Sequence, residues 1–144
     1  MLVLEEMKGT CSTKHALLKM YANEHHDLKA TKLVIGIYKM NGKNTPEIAA
    51  LLKERGLAFI PEAHCYLIDG QARIDATKRG FNIADFEEDI LKEIPIEIEQ
   101  IGDYKVDMHK DFLKKWLNEN NVHLTFDELW AIREKCIDIL SKPV

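Results

Sequence analysis

The sequence predicts an α+β domain in which helices pack on a small, mostly antiparallel sheet. Three observations carry that reading. An apolar, β-branched run at residues 32–39, Lys-Leu-Val-Ile-Gly-Ile-Tyr-Lys, reads as a buried strand. Asp69-Gly70 lies between two β-like runs, and Asp-Gly is a strong two-residue hairpin signal. Helical patterns lie on either side of these strands, one near the start of the chain and two amphipathic ones at its end.

Residues 12–23 read as the first helix, with Ala16, Leu17, Met20 and Tyr21 available for a buried face. After the strand at 32–39, Asn41-Gly42 marks a turn. Thr45-Pro46 looks like an N-cap followed by proline at the first helical position, and that helix runs to Glu54 and ends at Gly56. With Asp69-Gly70 as the turn of the next hairpin, Ile68 faces Gln71 and His64 stands opposite Asp75. Directly opposed residues have Cβ atoms about 4.5–5.5 Å apart, close enough for an imidazole to bond a carboxylate. The alternation puts His64, Tyr66, Arg73 and Asp75 on one face and Cys65, Leu67, Ala72 and Ile74 on the other, which reads as core.

Further on, residues 85–92 read as a short acidic helix with Phe86, Ile90 and Leu91 as its apolar side. Residues 94–99 alternate as a strand, and Pro95 marks it as an edge or a strand start. Gly102-Asp103 ends it. The next helix carries Val106, Phe112, Leu113, Trp116 and Leu117. The last opens on Thr125-Phe126-Asp127-Glu128, a capping box, with Phe126, Leu129, Trp130, Ile137 and Leu140 as its apolar side.

The whole chain, 1–144, reads as one domain, and a chain of this length can bury about two-thirds of its unfolded surface. Hydrophobic residues at 46% and charged ones at 31% are ordinary for a globular protein. A net charge of −4, with lysines spread along the chain, argues against a nucleic-acid partner. No apolar stretch is long enough to span a membrane, so no membrane partner is expected. Cys11, Cys65 and Cys136 are an odd number at wide spacings, which suits free thiols in a reducing, cytoplasmic setting better than a disulfide framework. Cys65 and Cys136 read as core thiols, Trp116 and Trp130 as core aromatics, and Glu87-Glu88-Asp89 as a solvated face.

No metal is expected. His25-His26 beside Asp27 reads as a solvated pair. Cys11 and His15 have a chelating i, i+4 spacing, and His64 with Cys65 would complete a zinc set, but the hairpin sends those two to opposite faces. What remains is nucleophilic chemistry. Cys11 stands at the start of the first helix, where the positive end of the helix dipole favours a thiolate. A helix N-terminus or a neighbouring imidazolium lowers a thiol pKa to roughly 3.5–7.5. With His64 and Asp75 on adjacent strands, the chain holds the parts of a Cys-His-Asp triad. Tyr66 and Arg73 share that face, either lining a substrate cleft or packing as a cross-strand pair.

The set Gly9, Cys11 and Ala16 at a helix start, His64 after Ala63 on a strand, and Asp75 with Thr77 on the next resembles the transglutaminase-like superfamily, a branch of the papain-like cysteine enzymes. The resemblance covers residues 7–77, about half the chain. It implies a papain-like core, with the nucleophile helix on a small antiparallel sheet, to which two C-terminal helices are added. It also implies Cys11 as nucleophile, His64 as general base and acid, and Asp75 as the residue that orients His64. The implied activity is thiol-dependent acyl transfer without a cofactor, most simply hydrolysis of a peptide or protein amide through a thioester. The alternative is a catalytically inactive transglutaminase-like domain that binds a peptide or protein partner. The superfamily usually has a helical segment before the cysteine, whereas ten residues precede Cys11 here. The expectation is therefore either a longer natural chain or an oxyanion hole built from backbone N–H groups.

Overall fold

Residues 32–41 carry apolar side chains on both sides of an extended backbone, and they form the inner strand of a sheet. The computed structural model describes residues 11–24, 31–75 and 83–142. Expectations placed on Gly9, on His25, His26 and Asp27, on Thr77 and on the side chain of Cys11 lie outside the described residues. The sheet order is β3-β2-β1-β4, with β1 spanning Lys32–Asn41, β2 Phe59–Asp69, β3 Ala72–Ile74 and β4 Ile90–Pro95. Every pairing is antiparallel. Among the described residues there are four α-helices: α1 (Cys11–Glu24), α2 (Ala49–Glu54), α3 (Asp103–Glu119) and α4 (Phe126–Ser141). The molecule is thus α+β, with a small antiparallel sheet.

Two clusters of apolar side chains hold these layers. Leu33, Ile35 and Ile37 of β1 join Ala63, Cys65 and Leu67 of β2 beneath Ala16 of α1, with Met108 and Phe112 of α3 packed alongside. Met40, Ile60 and Leu52 meet Leu113, Leu117, Leu129, Ile132 and Cys136, and so bind α2, α3 and α4 to the far ends of β1 and β2. Burying such side chains stabilises the fold by about 25 cal/mol per Å2 of apolar surface removed from water. A buried polar knot adds direction. Glu62 accepts from Arg133 Nε at 3.0 Å, and His109 Nε2 lies 2.9 Å from the Pro61 carbonyl oxygen. These bonds fix α3 and α4 on β2.

The hairpin differs from its expected register. Leu67 pairs with Ile74, Ile68 with Arg73 and Asp69 with Ala72, so Gly70 and Gln71 are the central turn residues. Gly70 has φ +62°, which the first central position of a type II′ turn needs and which glycine adopts without strain. Continued by one residue, this pairing sets Asp75 opposite Tyr66 and not opposite His64. The slip changes the partner by two positions, and because side chains alternate with period two, Asp75 stays on the same face as His64.

The segment before α3 also departs from expectation. The 85–92 stretch is not a helix: Ile83–Asp85 and Glu87–Asp89 are short 3-10 turns, and β4 begins at Ile90. Strand pairing to β1 claims Ile90, Lys92, Glu93 and Ile94, with a bulge near Ile37 and Tyr38. Glu87 and Glu88 are exposed, as a solvated face requires, and Asp89 is half-buried. Asp89 accepts from the Asn44 amide at 3.0 Å, and Glu87 accepts from Arg73 at 2.7 Å. The strand expected at 94–99 ends at Pro95, the last residue of an edge strand, and Ile98–Ile101 is a 3-10 turn. No helix among the described residues is long and apolar enough to cross a membrane.

Candidate functional site

β1 and β4 place Gly36 and Glu93 in one row with His64 of β2, Gly36 being the Cα partner of both. Gly36 leaves the face open above it, and the Tyr66 ring fills that space. An added Cβ on Gly36 would stand 2.6 Å from Tyr66 Cε1 and 2.8 Å from Cζ. Tyr66 is fully buried and its hydroxyl donates to Glu93. Arg73 Nε donates to the same carboxylate at 2.6 Å. The Arg73 hydrogen bond holds the Glu93 carboxyl below its ordinary pKa, with the Tyr66 bond adding to it. Burial first, and then Glu93, push the Tyr66 phenol well above its ordinary value. Tyr66 and Arg73 are thus bound into one cross-strand network through Glu93.

His64 sits on this floor, 6.1 Å from the Tyr66 ring centroid, with Tyr38 at 6.3 Å and Phe86 at 5.8 Å. Its Nε2 lies 2.5 Å from Asp75 Oδ2. The diagonal placement of His64 and Asp75 across the hairpin remains within reach of side chains as long as these. The imidazole side chain is 13% exposed and the carboxylate 1%. With the carboxylate as acceptor, Nε2 carries the proton, so Nδ1 is the basic nitrogen of the neutral ring.

α1 brings a third group to the carboxylate. His15 is buried, and its Nε2 stands 3.7 Å from Asp75 Oδ1. One carboxylate oxygen therefore faces each imidazole, and the two rings are 6.4 Å apart and nearly perpendicular. Cys11 is the first residue of α1, one turn before His15, so position 11 shares the helix face that looks toward Asp75. Ser12, next along, donates to Cys65 Sγ at 3.3 Å and accepts from Lys105 Nζ at 2.8 Å. The start of α1 is thus fixed by polar contacts to β2 and α3.

Of the residues expected to form the site, His64 and Asp75 meet, and Tyr66 and Arg73 lie beside them in the Glu93 network. His15, Ser12, Glu93 and Lys105 join the cluster and were not expected there. The one-turn spacing of His15 from Cys11 is visible in the sequence but reads there only as metal chelation; Lys105 has no local signal, because it comes from 93 positions further along than Ser12. Among the described residues no three His, Cys, Asp or Glu side chains gather so as to hold a metal ion. No protein-family model matches the chain, and neither the curated proteins nor the solved structures contain a match.

Proposed function

We propose that this chain is a thiol-dependent acyl-transfer enzyme with a transglutaminase-like, papain-like core, hydrolysing a peptide or protein amide in a reducing cytoplasm. Cys11 is its nucleophile, His64 its base and acid, and Asp75 the residue that orients His64. The observation that supports this is the 2.5 Å contact between His64 Nε2 and a carboxylate withdrawn from solvent, on an imidazole that itself stays partly accessible.

In this reading Asp75 holds the His64 tautomer, and Nδ1 takes the proton from the Cys11 thiol. The thiolate attacks the amide carbon, and the carbonyl oxygen takes up negative charge near the backbone N–H groups at the start of α1, at the positive end of its dipole. The C–N bond breaks as His64 returns its proton to the amine, leaving a thioester. Water, deprotonated by His64, resolves the thioester to an acid and restores the thiol. A second amine in place of water would make the same site a transferase.

The test is the rate of alkylation of each cysteine against pH, read by peptide mass spectrometry, in the parent and in His64→Ala. Cys11 is expected to label fast well below pH 8 and to slow on the histidine change, while buried Cys65 and Cys136 stay protected. Burial already pushes the Cys136 thiol up to about 11. An ordinary Cys11, indifferent to His64, would overturn the reading. It would leave the His15–Asp75–His64 cluster as a clamp for α1 in a binding domain.

A further inference from the structure

We propose that Lys105 is the cation that completes the Cys11 end of α1, favouring first the thiolate and then the acyl oxyanion. This rests on the nucleophile reading of Cys11. From the sequence, the oxyanion hole is expected to come from a longer chain or from backbone N–H groups. Here the fold delivers a positive charge from the opposite direction, in the first turn of α3.

The geometry behind the assignment is specific. Lys105 Nζ donates to Ser12 Oγ at 2.8 Å, and Ser12 is the residue that follows Cys11. The Ser12 hydroxyl is itself directed, because its proton goes to Cys65 Sγ at 3.3 Å in the core. Its lone pairs are therefore turned toward the ammonium. A surface lysine normally spreads its charge over many rotamers in water. This one is anchored, so its charge stays within one residue of the proposed nucleophile.

An open cleft of about 440 Å3 runs beside this contact, lined among others by Ser12, Thr13, Lys105, Val106 and Trp130. It gives an acyl group a way to reach the start of α1 from the Lys105 side. The other charged groups around it are already engaged or are of the wrong sign. Arg133 is held by Glu62 and Glu134, and Asp103 is an acid. His109 is kept neutral chiefly by burial, with the charges of Arg133 and Lys105 working against Glu62 and the Pro61 carbonyl. On the sheet side stand Cys65, His64 and Asp75, and on α1 His15. Lys105 is the cation among these that touches the residue next to Cys11.

Lys105 acts here as a positioning residue, through charge and not through contact with the reacting atoms. The experiment is the pH profile of Cys11 alkylation in the full chain, using a neutral reagent at low and high salt. Lys105→Gln is expected to raise the midpoint by about one pH unit, a tenfold loss of rate on the acid side. Lys105→Arg is expected to keep the parent profile. Added salt is expected to raise the parent midpoint and to leave that of Lys105→Gln nearly still. Cys65 and Cys136 report folding within the same experiment, since both stay protected while the core holds. Lys105→Met, which keeps the apolar stem, is the second neutral variant. A parent-like profile in the neutral variants, with His64→Ala still slow, would overturn the Lys105 assignment and leave the nucleophile reading standing. Exposure of Cys65 in both neutral variants would mark Lys105 as structural, which also overturns it. An ordinary Cys11 in the parent removes both.

Discussion

Gly36 occupies a position where the sheet has no room for a side chain, because the Tyr66 ring lies across it. Gly36→Ala is expected to cost about 1–3 kcal/mol, the usual range for overpacking a filled core. It should also lift the Tyr66 hydroxyl from Glu93 and disturb the floor beneath His64. Urea unfolding would measure the loss, and Tyr66→Leu should restore part of it by clearing the space. An alanine variant as stable as the parent would mean that the ring is free to move aside. At this scale much was legible in advance. Alternation alone put His64, Tyr66, Arg73 and Asp75 on one face, and it survived a turn displaced by one residue because a two-position shift in pairing preserves side-chain direction. Glu93 was not legible. Its role depends on being opposite Gly36, and that pairing joins positions almost sixty apart in the chain.

The helices show the same division between local and distant causes. The start of α4 was readable because its cap is written within four residues. Thr125 Oγ1 accepts from the Glu128 N–H at 3.1 Å, and Glu128 Oε2 accepts from the Thr125 N–H at 3.2 Å. Thr125→Ala is expected to cost about 1 kcal/mol. A shift in the denaturation midpoint at unchanged slope would register it, and no shift would show that packing against α2 and α3 holds α4 without its cap. The inward side of α1 was misjudged. Ala16 is buried as expected, but Met20 and Tyr21 are exposed at 44% and 55%, and the buried stripe runs through Ser12, His15, Ala16 and Ala22. Two of those four are polar and meet Cys65 of β2, Lys105 of α3 and Asp75 just after β3, so apolar periodicity could not reveal them. The acidic 85–92 segment failed for a related reason. Its helical pattern is genuine locally, yet β1 offers a strand ladder and Arg73 and Asn44 take its carboxylates.

Across the whole molecule, charge buried during folding sets a pH dependence. His109 has its pKa lowered, chiefly by burial, from an ordinary value of 6.5. The unfolded chain therefore binds the proton more readily. Its contribution is intact above pH 6.5 and is lost as pH falls below that value toward the folded one, at no more than about 1.4 kcal/mol per pH unit. Glu93, lowered from 4.5 by Arg73, contributes fully above pH 4.5 and is lost as pH falls through its folded value. Thermal melting across pH 7 to 3 should thus weaken in two stages, with His109→Gln flattening the upper one and Glu93→Gln the lower. Stability constant between pH 7 and 5 would contradict the His109 part.

The way α1 is attached has a kinetic meaning. Its contacts to Cys65 and Asp75 join positions more than fifty residues apart, while Leu18, Met20 and Tyr21 turn outward. Closing so long a loop costs chain entropy, and a mostly polar footing repays little of it beyond hydrogen bonds. The expected consequence is that α1 undocks before the sheet beneath it melts, which amide hydrogen exchange in residues 12–24 would register as earlier opening than in β1 and β2. Proposed nucleophile and proposed base sit on opposite sides of that joint. Thiol chemistry of the proposed kind would then fade on heating or in denaturant before the sheet unfolds, because it needs the first helix seated.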